Sequence, residues 1–185
     1  MDIVEKIIER AETLDNSRLL IAVDGRCAAG KTTLAERLRE TSGWSVFHMD
    51  DFFLRPEQRT EERLNTPGEN VDHERFLEEV LLPLRNGSEE ISFRPFDCGT
   101  LSLKEPIRIK AERVCVVEGS YSCHPALWDN YDLRIFLTVD PEEQMRRIVR
   151  RNGAENAVRF AEKWIPLEEK YFSAYKIQSR CDMRF

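Results

Sequence analysis

The sequence predicts an α/β fold in three layers, a mostly parallel sheet with helices on both faces. Three observations predict it. The apolar runs 19–23, 114–117 and 133–139 have the length and β-branched content of strands buried on both sides. Stretches with helical spacing of apolar residues lie between them, and strands that alternate with helices assemble into a parallel sheet. At the end of the first run a Gly-containing turn, 25–30, separates strand from helix.

Ile3, Val4, Ile7, Ile8, Ala11 and Leu14 recur at helical spacing and open the chain with an amphipathic helix. The first strand covers 19–24, and the helix after the turn ends at Gly43. Residues 44–49 read as the second strand, running into Asp50-Asp51-Phe52-Phe53. Residues 54–71 are polar and hold Pro56, Pro67 and Gly68, so a long loop is expected there. A third helix spans about 72–85 with Asp72 as N-cap and Phe76, Leu77, Val80, Leu81 and Leu84 inward. Pro95 limits 91–97 to a short edge strand, which 107–110 would pair. The run 113–117 reads as a central strand ending in Glu118-Gly119, and 133–139 as another. Asp140 caps a helix with Pro141 at its first position, running to Arg151. Helix is expected again over 154–175, interrupted at Pro166, and 181–185 add a last short strand.

The bulk numbers narrow the class. The chain has 185 residues, and no linker, repeat or low-complexity tract divides it, so one domain over 1–185 is expected. With 41% hydrophobic and 34% charged residues it has the balance of a soluble globular protein. A net charge of -6 leaves no basic excess to neutralise a nucleic-acid backbone, so nucleic acid is not an expected partner. No apolar run reaches membrane-spanning length, and the first residues lack the basic flank and apolar core of a signal peptide. The five cysteines are scattered, odd in number and without a C-x-x-C pair. A reduced, cytoplasmic protein with no cysteine metal site is the expectation. No segment reads as a dimer interface, and homo-oligomerisation stays open.

The turn carries chemistry. Gly25-Arg26-Cys27-Ala28-Ala29-Gly30-Lys31-Thr32, with Thr33 behind it, reads G-x-x-x-x-G-K-[ST], a phosphate-binding loop. In that pattern backbone N–H groups and the helix N-terminus face phosphates, the lysine reaches the β- and γ-phosphates, and the Thr32 hydroxyl holds Mg²⁺. Asp50 stands at the carboxyl end of a strand, the side where open α/β sheets bind ligands. Glu118 ends a buried strand, where an acid serves a magnesium site. Asp72 offers two acceptor oxygens to a pair of hydroxyls, besides its capping role.

Taken together, G-R-C-A-A-G-K-T-T, M-D-D-F-F-L, N-V-D-H-E-R-F, V-V-E-G and R-R-I-V-R-R, in this order over 19–151, resemble the uridine kinase / phosphoribulokinase family of phosphate-loop kinases, which includes nicotinamide riboside and pantothenate kinases. W-I-P-L-E-E-K-Y-F is similar to the family's C-terminal helix. The resemblance implies a three-layer P-loop NTPase fold, ATP and Mg²⁺ as cofactors, and transfer of the γ-phosphoryl group to a hydroxyl of a nucleoside-like small molecule. It implies Asp50 as general base, with Asp51 the alternative, and Asp72 as a ligand of sugar hydroxyls, followed by His73. It implies Thr32 and Glu118 at the metal, and arginines of a short lid around 146–156. Arg147 and Arg151 share a helix face and align best, with Arg146 and Arg150 beside them. Phe53, Arg94, Phe96, Asp97 and Tyr121 would line the acceptor pocket. The chain departs from uridine kinases where those carry a Tyr-Asp pair and a nearby His that reads the pyrimidine. Here Phe96-Asp97 is followed by Cys98-Gly99-Thr100-Leu101, without the His. Uridine or cytidine is the first expected acceptor, nicotinamide riboside the second and a pantothenate-type alcohol the third. A nucleotide-dependent regulatory ATPase without an acceptor is the rival from another class. Neither the choice between ATP and GTP nor any feedback regulator is written in these motifs.

Overall fold

The computed structural model describes residues 2–185. The chain opens with α1, Ile3–Glu12, started by a capping box in which Asp2 accepts from the Ile3 N–H and Glu5 accepts from the Asp2 N–H. β1, Leu19–Gly25, follows, then α2, Lys31–Ser42, and β2, Ser45–His48. Further on come α3 (Glu61–Asn65), α4 (73–85), β3 (Glu90–Phe93), β4 (Phe96–Asp97), β5 (Ser102–Leu103), β6 (Ile107–Lys110), β7 (Val114–Glu118) and β8 (Leu133–Leu137). α5 (Pro141–Asn152), α6 (154–175), α7 (Ile177–Arg180) and β9 (Met183–Arg184) complete the chain.

The main sheet has the order β2-β7-β1-β8-β9 and every pairing in it is parallel. Every residue of β1 is buried, and its side chains alternate between two cores. Leu19, Ile21 and Val23 join Val4, Ile7, Leu34 and Leu38 under α1 and α2. Leu20 and Ala22 face the other way, into a core with Phe47, Phe52, Phe76, Phe136 and Tyr171 under α4 and α6. This is the three-layer α/β architecture the apolar runs foretold. Two small antiparallel ribbons, β3 with β6 and β4 with β5, sit beside it.

The expected edge strand 91–97 is divided at Pro95 into β3, which pairs with β6, and β4, which pairs with β5, and the structure differs from the sequence reading in two further places. α6 is not interrupted at Pro166. The helix widens into a π segment over Phe160–Trp164, and Pro166 follows two residues later. A proline ring lacks an N–H and crowds the carbonyl of the preceding turn, and a widened turn relieves both demands. α4 uses the same device, with a π segment at Leu77–Leu81 ahead of Pro83. The second difference lies in 54–71, which is an ordered excursion and not a bare loop. It contains a turn of 3₁₀ helix, Pro56–Gln58, and the α3 helix, and a bridge between Phe53 and Val71 closes its base. Two arginines hold it from within. Arg59 donates to the Leu54 carbonyl, and Arg63 donates to those of Glu69 and Val71.

Phe52 is fully buried, meets Phe76 edge to face at 4.9 Å and lies under the Arg75 guanidinium. It anchors the turn Met49–Phe52 that carries Asp50 and Asp51. Replacing it by alanine removes the ring and leaves a cavity, a loss of about 3–5 kcal/mol. Urea denaturation of Phe52→Ala against the parent protein measures this, and a loss below about 1 kcal/mol would show that the turn is held by other contacts.

Candidate active site

The carboxyl ends of β1, β2 and β7 all open on one edge of the sheet, and that edge carries the site. β1 ends at Gly25, whose φ is +133°. A Cβ there would stand 2.0 Å from the Leu137 carbonyl oxygen, so only glycine lets the chain turn against β8. The loop 25–30 then delivers the chain to α2 through Gly30, a left-handed N-cap with no side-chain capping bond. The first N–H groups of α2, at Lys31, Thr32 and Thr33, have no acceptor within the helix, and the dipole adds positive potential beside them. Lys31 is buried and reaches back over its loop, donating to the carbonyls of Gly25 (2.6 Å) and Arg26 (3.0 Å).

Neighbouring elements brace the loop at Arg26, Cys27 and Ala28. Arg26 forms a paired contact with Glu169 of α6 and donates to Thr138. The Cys27 N–H donates to Glu168 at 2.9 Å, and the Cys27 carbonyl accepts from Gln144 of α5 at 3.0 Å. The Ala28 carbonyl accepts from Arg147 at 3.2 Å, and Ala28 itself sits at φ 60°. Ala29 closes a turn back to the Arg26 carbonyl. Burial, with the Glu168 charge second, pushes the Cys27 thiol up to about 12, so it stays protonated at neutral pH.

An acidic group faces this loop. Glu118, 4% exposed, accepts the Thr32 hydroxyl on both oxygens at 3.2 Å. It also pairs with Nδ1 of His48 at 2.6 Å. The chain leaves β7 through Gly119, at φ +139°, where a Cβ would fall 2.7 Å from that of Met49. That close approach sets the Glu118 strand end beside the turn bearing Asp50. Asp50 is exposed, yet the protein around it withholds full hydration. This, and then the Glu118 charge, holds its carboxyl above the ordinary 3.8, with Lys31 and His48 pulling the other way. Asp51 is raised as well, chiefly by burial.

The remaining expected residues are distributed unevenly. Asp72 is buried at the start of α4, where Oδ1 accepts from the Arg75 N–H and Oδ2 has no hydrogen bond. The Nε atoms of Arg55 and Arg75 each stand 3.6 Å from that Oδ2. Phe53 is half-buried at the bridge to Val71. Phe96 is buried with the Arg59 guanidinium over its ring at 5.7 Å. Arg94 and Asp97 serve the β4–β5 ribbon. Arg94 donates to the carbonyls of Leu103 and Lys104, while Asp97 accepts from the Gly99 and Thr100 N–H groups and pairs with Lys104. Tyr121 is buried against Tyr171 and lines no open surface. His73 turns its Nε2 to Glu69 and stacks on His124. Of the two aligned arginines, Arg147 touches the phosphate-binding loop, whereas Arg151 is exposed and donates to Asn152. Arg146 pairs with Glu143, as Arg147 does.

Four contributors escaped the sequence reading. They are Asp24 beneath the loop, His48 on Glu118, Glu168 on Cys27, and Arg75, which donates to the backbone carbonyls of Asp51 and Arg94. His48, two residues before Asp50, and Arg75, one turn past Asp72, carried a faint local signal. Glu168 lay within the stretch W-I-P-L-E-E-K-Y-F, but nothing there pointed to its partners, which lie 141 and 48 residues away.

A parallel sheet feeding G-R-C-A-A-G-K-T into an uncapped helix, with acids at two neighbouring strand ends, defines a P-loop NTPase with a kinase-type fold. The chain belongs to the family described as AAA domain, whose model matches residues 21–164. It is 29% identical over 140 residues to a uridine kinase of Chlamydia pneumoniae, which covers 71% of this chain and 63% of that protein. It is also 29% identical over 175 residues to the bifunctional alpha-galactosidase/sucrose kinase AgaSK of Mediterraneibacter gnavus, covering 83% of this chain and 18% of that one. Among solved structures, a Bacillus stearothermophilus protein described as a possible uridine kinase superposes with a TM-score of 0.74 at 20% identity, covering 98% of this chain and 96% of that one. YFH7 of Saccharomyces cerevisiae gives 0.70 at 12% identity, with 94% and 95% covered. At those identities the structures establish the fold alone. A P-loop kinase fold is in general an ATP-binding one. No helix among the described residues is long and apolar enough to cross a membrane.

The Glu118 hydrogen bond raises the folded pKa of His48 above 6.5. A raised histidine pKa contributes stability that is present in full below the unfolded value and is lost as pH rises through the folded one. NMR titration of His48 is expected to give a midpoint above 6.5, and His48→Gln is expected to flatten the dependence of Tm on pH over that window. A midpoint at or below 6.5 would show that the pair is not ionic.

Proposed function

We propose that this protein transfers the γ-phosphoryl group of ATP to a hydroxyl of a small molecule that carries a sugar. The observation that supports it best is Asp50, an exposed carboxylate within electrostatic reach of both Lys31 and Glu118. The loop 25–33 receives the triphosphate on its N–H groups, and Lys31 neutralises oxygens of the β- and γ-phosphates. Thr32 and Glu118 supply hard oxygen donors that suit Mg²⁺, and their mutual contact places them at one point. When bound there, the ion would supply positive charge to the phosphate oxygens.

Asp50 accepts or orients the proton of the attacking hydroxyl. Asp72, whose unbonded oxygen is buried beside Arg55 and Arg75, would take sugar hydroxyls once those side chains move aside, with Phe53 and Phe96 as apolar walls and Arg94 and Asp97 shaping the ribbon behind them. Arg147, already on the loop, neutralises charge on the transferred group, and Arg151 would join it by movement of the segment 146–156 about Gly153. Most of the rate enhancement is then positioning and electrostatics.

A nucleoside-like acceptor, uridine or cytidine first, accords with the Chlamydia relative. Nicotinamide riboside and pantothenate-type alcohols remain the next candidates. The sucrose kinase named in the Mediterraneibacter relative matches more of this chain and adds free glycosides. That relative, together with Phe96 standing where a pyrimidine-reading tyrosine would, favours a sugar hydroxyl over a particular base as the recognised group.

ADP release from ATP with Mg²⁺ is to be measured with uridine, cytidine, nicotinamide riboside, pantothenate and sucrose, with mass detection of the phosphorylated product. One acceptor is expected to stimulate release strongly. Equal slow release with all of them would point to a regulatory ATPase. With the acceptor in hand, Asp50→Asn is expected to lower kcat by about 10²–10⁴ while ATP affinity stays within about twofold. Near-parent kcat in that variant would remove Asp50 as the base.

A base works deprotonated, so kcat/KM is expected to fall about tenfold per pH unit below the Asp50 pKa, with a midpoint above 3.8. A midpoint at or below 3.8 would contradict the electrostatic setting described for that carboxylate.

A further inference from the structure

We propose that Glu168 is a positioning residue for the phosphate-binding loop, and that the turn of α6 which carries it ties the nucleotide side of the site to the excursion 54–71 on the acceptor side. The proposal rests on the ATP-binding reading above. It comes from the contacts of four consecutive residues. Glu168 is 4% exposed and spends both oxygens on the loop region, accepting the Cys27 N–H at 2.9 Å and the Ser120 hydroxyl at 2.5 Å. Glu169 pairs with the next guanidinium, that of Arg26, at 2.7 and 3.2 Å. The Tyr171 hydroxyl donates to Asp24, the last side chain of β1 before the loop, at 2.8 Å. One helical turn therefore grips the residues 24, 26 and 27 in series.

The same turn reaches the opposite way. Lys170 is exposed and donates from Nζ to the Asn65 carbonyl at the end of α3. The Tyr171 ring packs so tightly on Gly68 that a Cβ there would lie 2.9 Å from it. Elsewhere the two parts stand apart, and a cleft of ≈ 320 Å³ runs between Leu64, Asn65 and Asn70 on one side and Pro166, Leu167 and Lys170 on the other. Contact at a few points across such a cleft lets α6 transmit a small displacement to 61–70, because packed helices shift as rigid bodies.

An anionic triphosphate on the loop changes the charge that the buried Glu168 carboxylate faces. With no water to screen it, that change is felt by the helix. The loop N–H groups and the Glu168 carboxylate then settle together, and 61–70 follows.

The test uses the full chain and AMPPNP with Mg²⁺ as probe, with calorimetry for affinity and hydrogen exchange for 61–70. In the parent protein, binding is expected to slow exchange over 61–70. Glu168→Ala is expected to weaken AMPPNP about tenfold, the size of one charge-assisted hydrogen bond. Glu168→Gln, which keeps an oxygen for the Cys27 N–H, is expected to recover to within about threefold of the parent. Lys170→Ala is expected to bind within about twofold of the parent yet lose the slowing over 61–70, a split that a merely structural lysine would not produce.

Parent-like affinity in a folded Glu168→Ala protein, or no recovery in Glu168→Gln, overturns the positioning role. If Glu168→Ala does not fold, Glu168→Gln and Lys170→Ala carry the test, since neither leaves a buried charge unpaired. Unchanged exchange over 61–70 in the AMPPNP-bound parent, or full slowing in Lys170→Ala, overturns the coupling. A parent protein that does not bind AMPPNP removes the ATP reading itself, and this proposal with it.

Discussion

The site depends on one buried carboxylate. Asp24 is fully buried at the end of β1 and accepts three hydrogen bonds, from the Gly25 N–H (2.7 Å), the Cys123 N–H (2.9 Å) and the Tyr171 hydroxyl (2.8 Å). Those donors belong to the phosphate-binding loop, to the segment after β7 and to α6. A charge in such a place is tolerated only when it is saturated with donors, and losing one donor costs far more than the bond itself contributes. Burial pushes the Asp24 carboxyl up, and the donors with the Lys31 ammonium push it down. The lysine of the loop thus has a structural counter-charge beneath it as well as a task above it.

Around that anchor, the edge of the sheet collects opposite charges at short range. Lys31 and the open amides of α2 are positive, and Glu118, Asp50 and Asp51 are negative. Each strand end contributes one part, which is why the arrangement needs the strand order as much as the residues. β7 lies between β1 and β2, so Glu118 falls between the loop and the Asp50 turn. Gly25 and Gly119 allow the backbone to close on Leu137 and on Met49, and no other residue type would permit that spacing. His48 then steadies Glu118 from the side.

The loop side of the candidate site was legible in the sequence because its residues are contiguous. Strand, loop and helix occupy 19–42 without a break, and Asp50 and Glu118 sit directly after their strands. The same holds for the fold, since apolar runs of strand length declare themselves. What escaped notice was long-range or depended on backbone detail. Glu168 and Tyr171 stand in the stretch W-I-P-L-E-E-K-Y-F, yet each meets a partner more than 140 residues away that nothing local indicates. Pro166 signalled a break because a proline ring is incompatible with an α-turn, whereas the chain adopts a π-turn ahead of it. The excursion 54–71 read as a loop because its order comes from arginine side chains donating to carbonyls, a pattern without periodicity.

The half of the candidate site proposed to hold the acceptor is built on different principles, and under that proposal this bears on its specificity. The loop side is fixed by the sheet itself, through backbone geometry that admits few substitutions. The proposed acceptor half hangs from guanidinium groups. Arg75 joins the Asp51 and Arg94 carbonyls and approaches Asp72, Arg59 lies over Phe96, and Arg94 holds the ribbon. A guanidinium has five donors and reaches far from its own backbone, so such a frame keeps its shape while the residues it surrounds change. The β4–β5 ribbon and the excursion are also outside the main sheet. Under the proposed function, a fold arranged in this way would retain one phosphoryl donor and alter its acceptor with few consequences for the core.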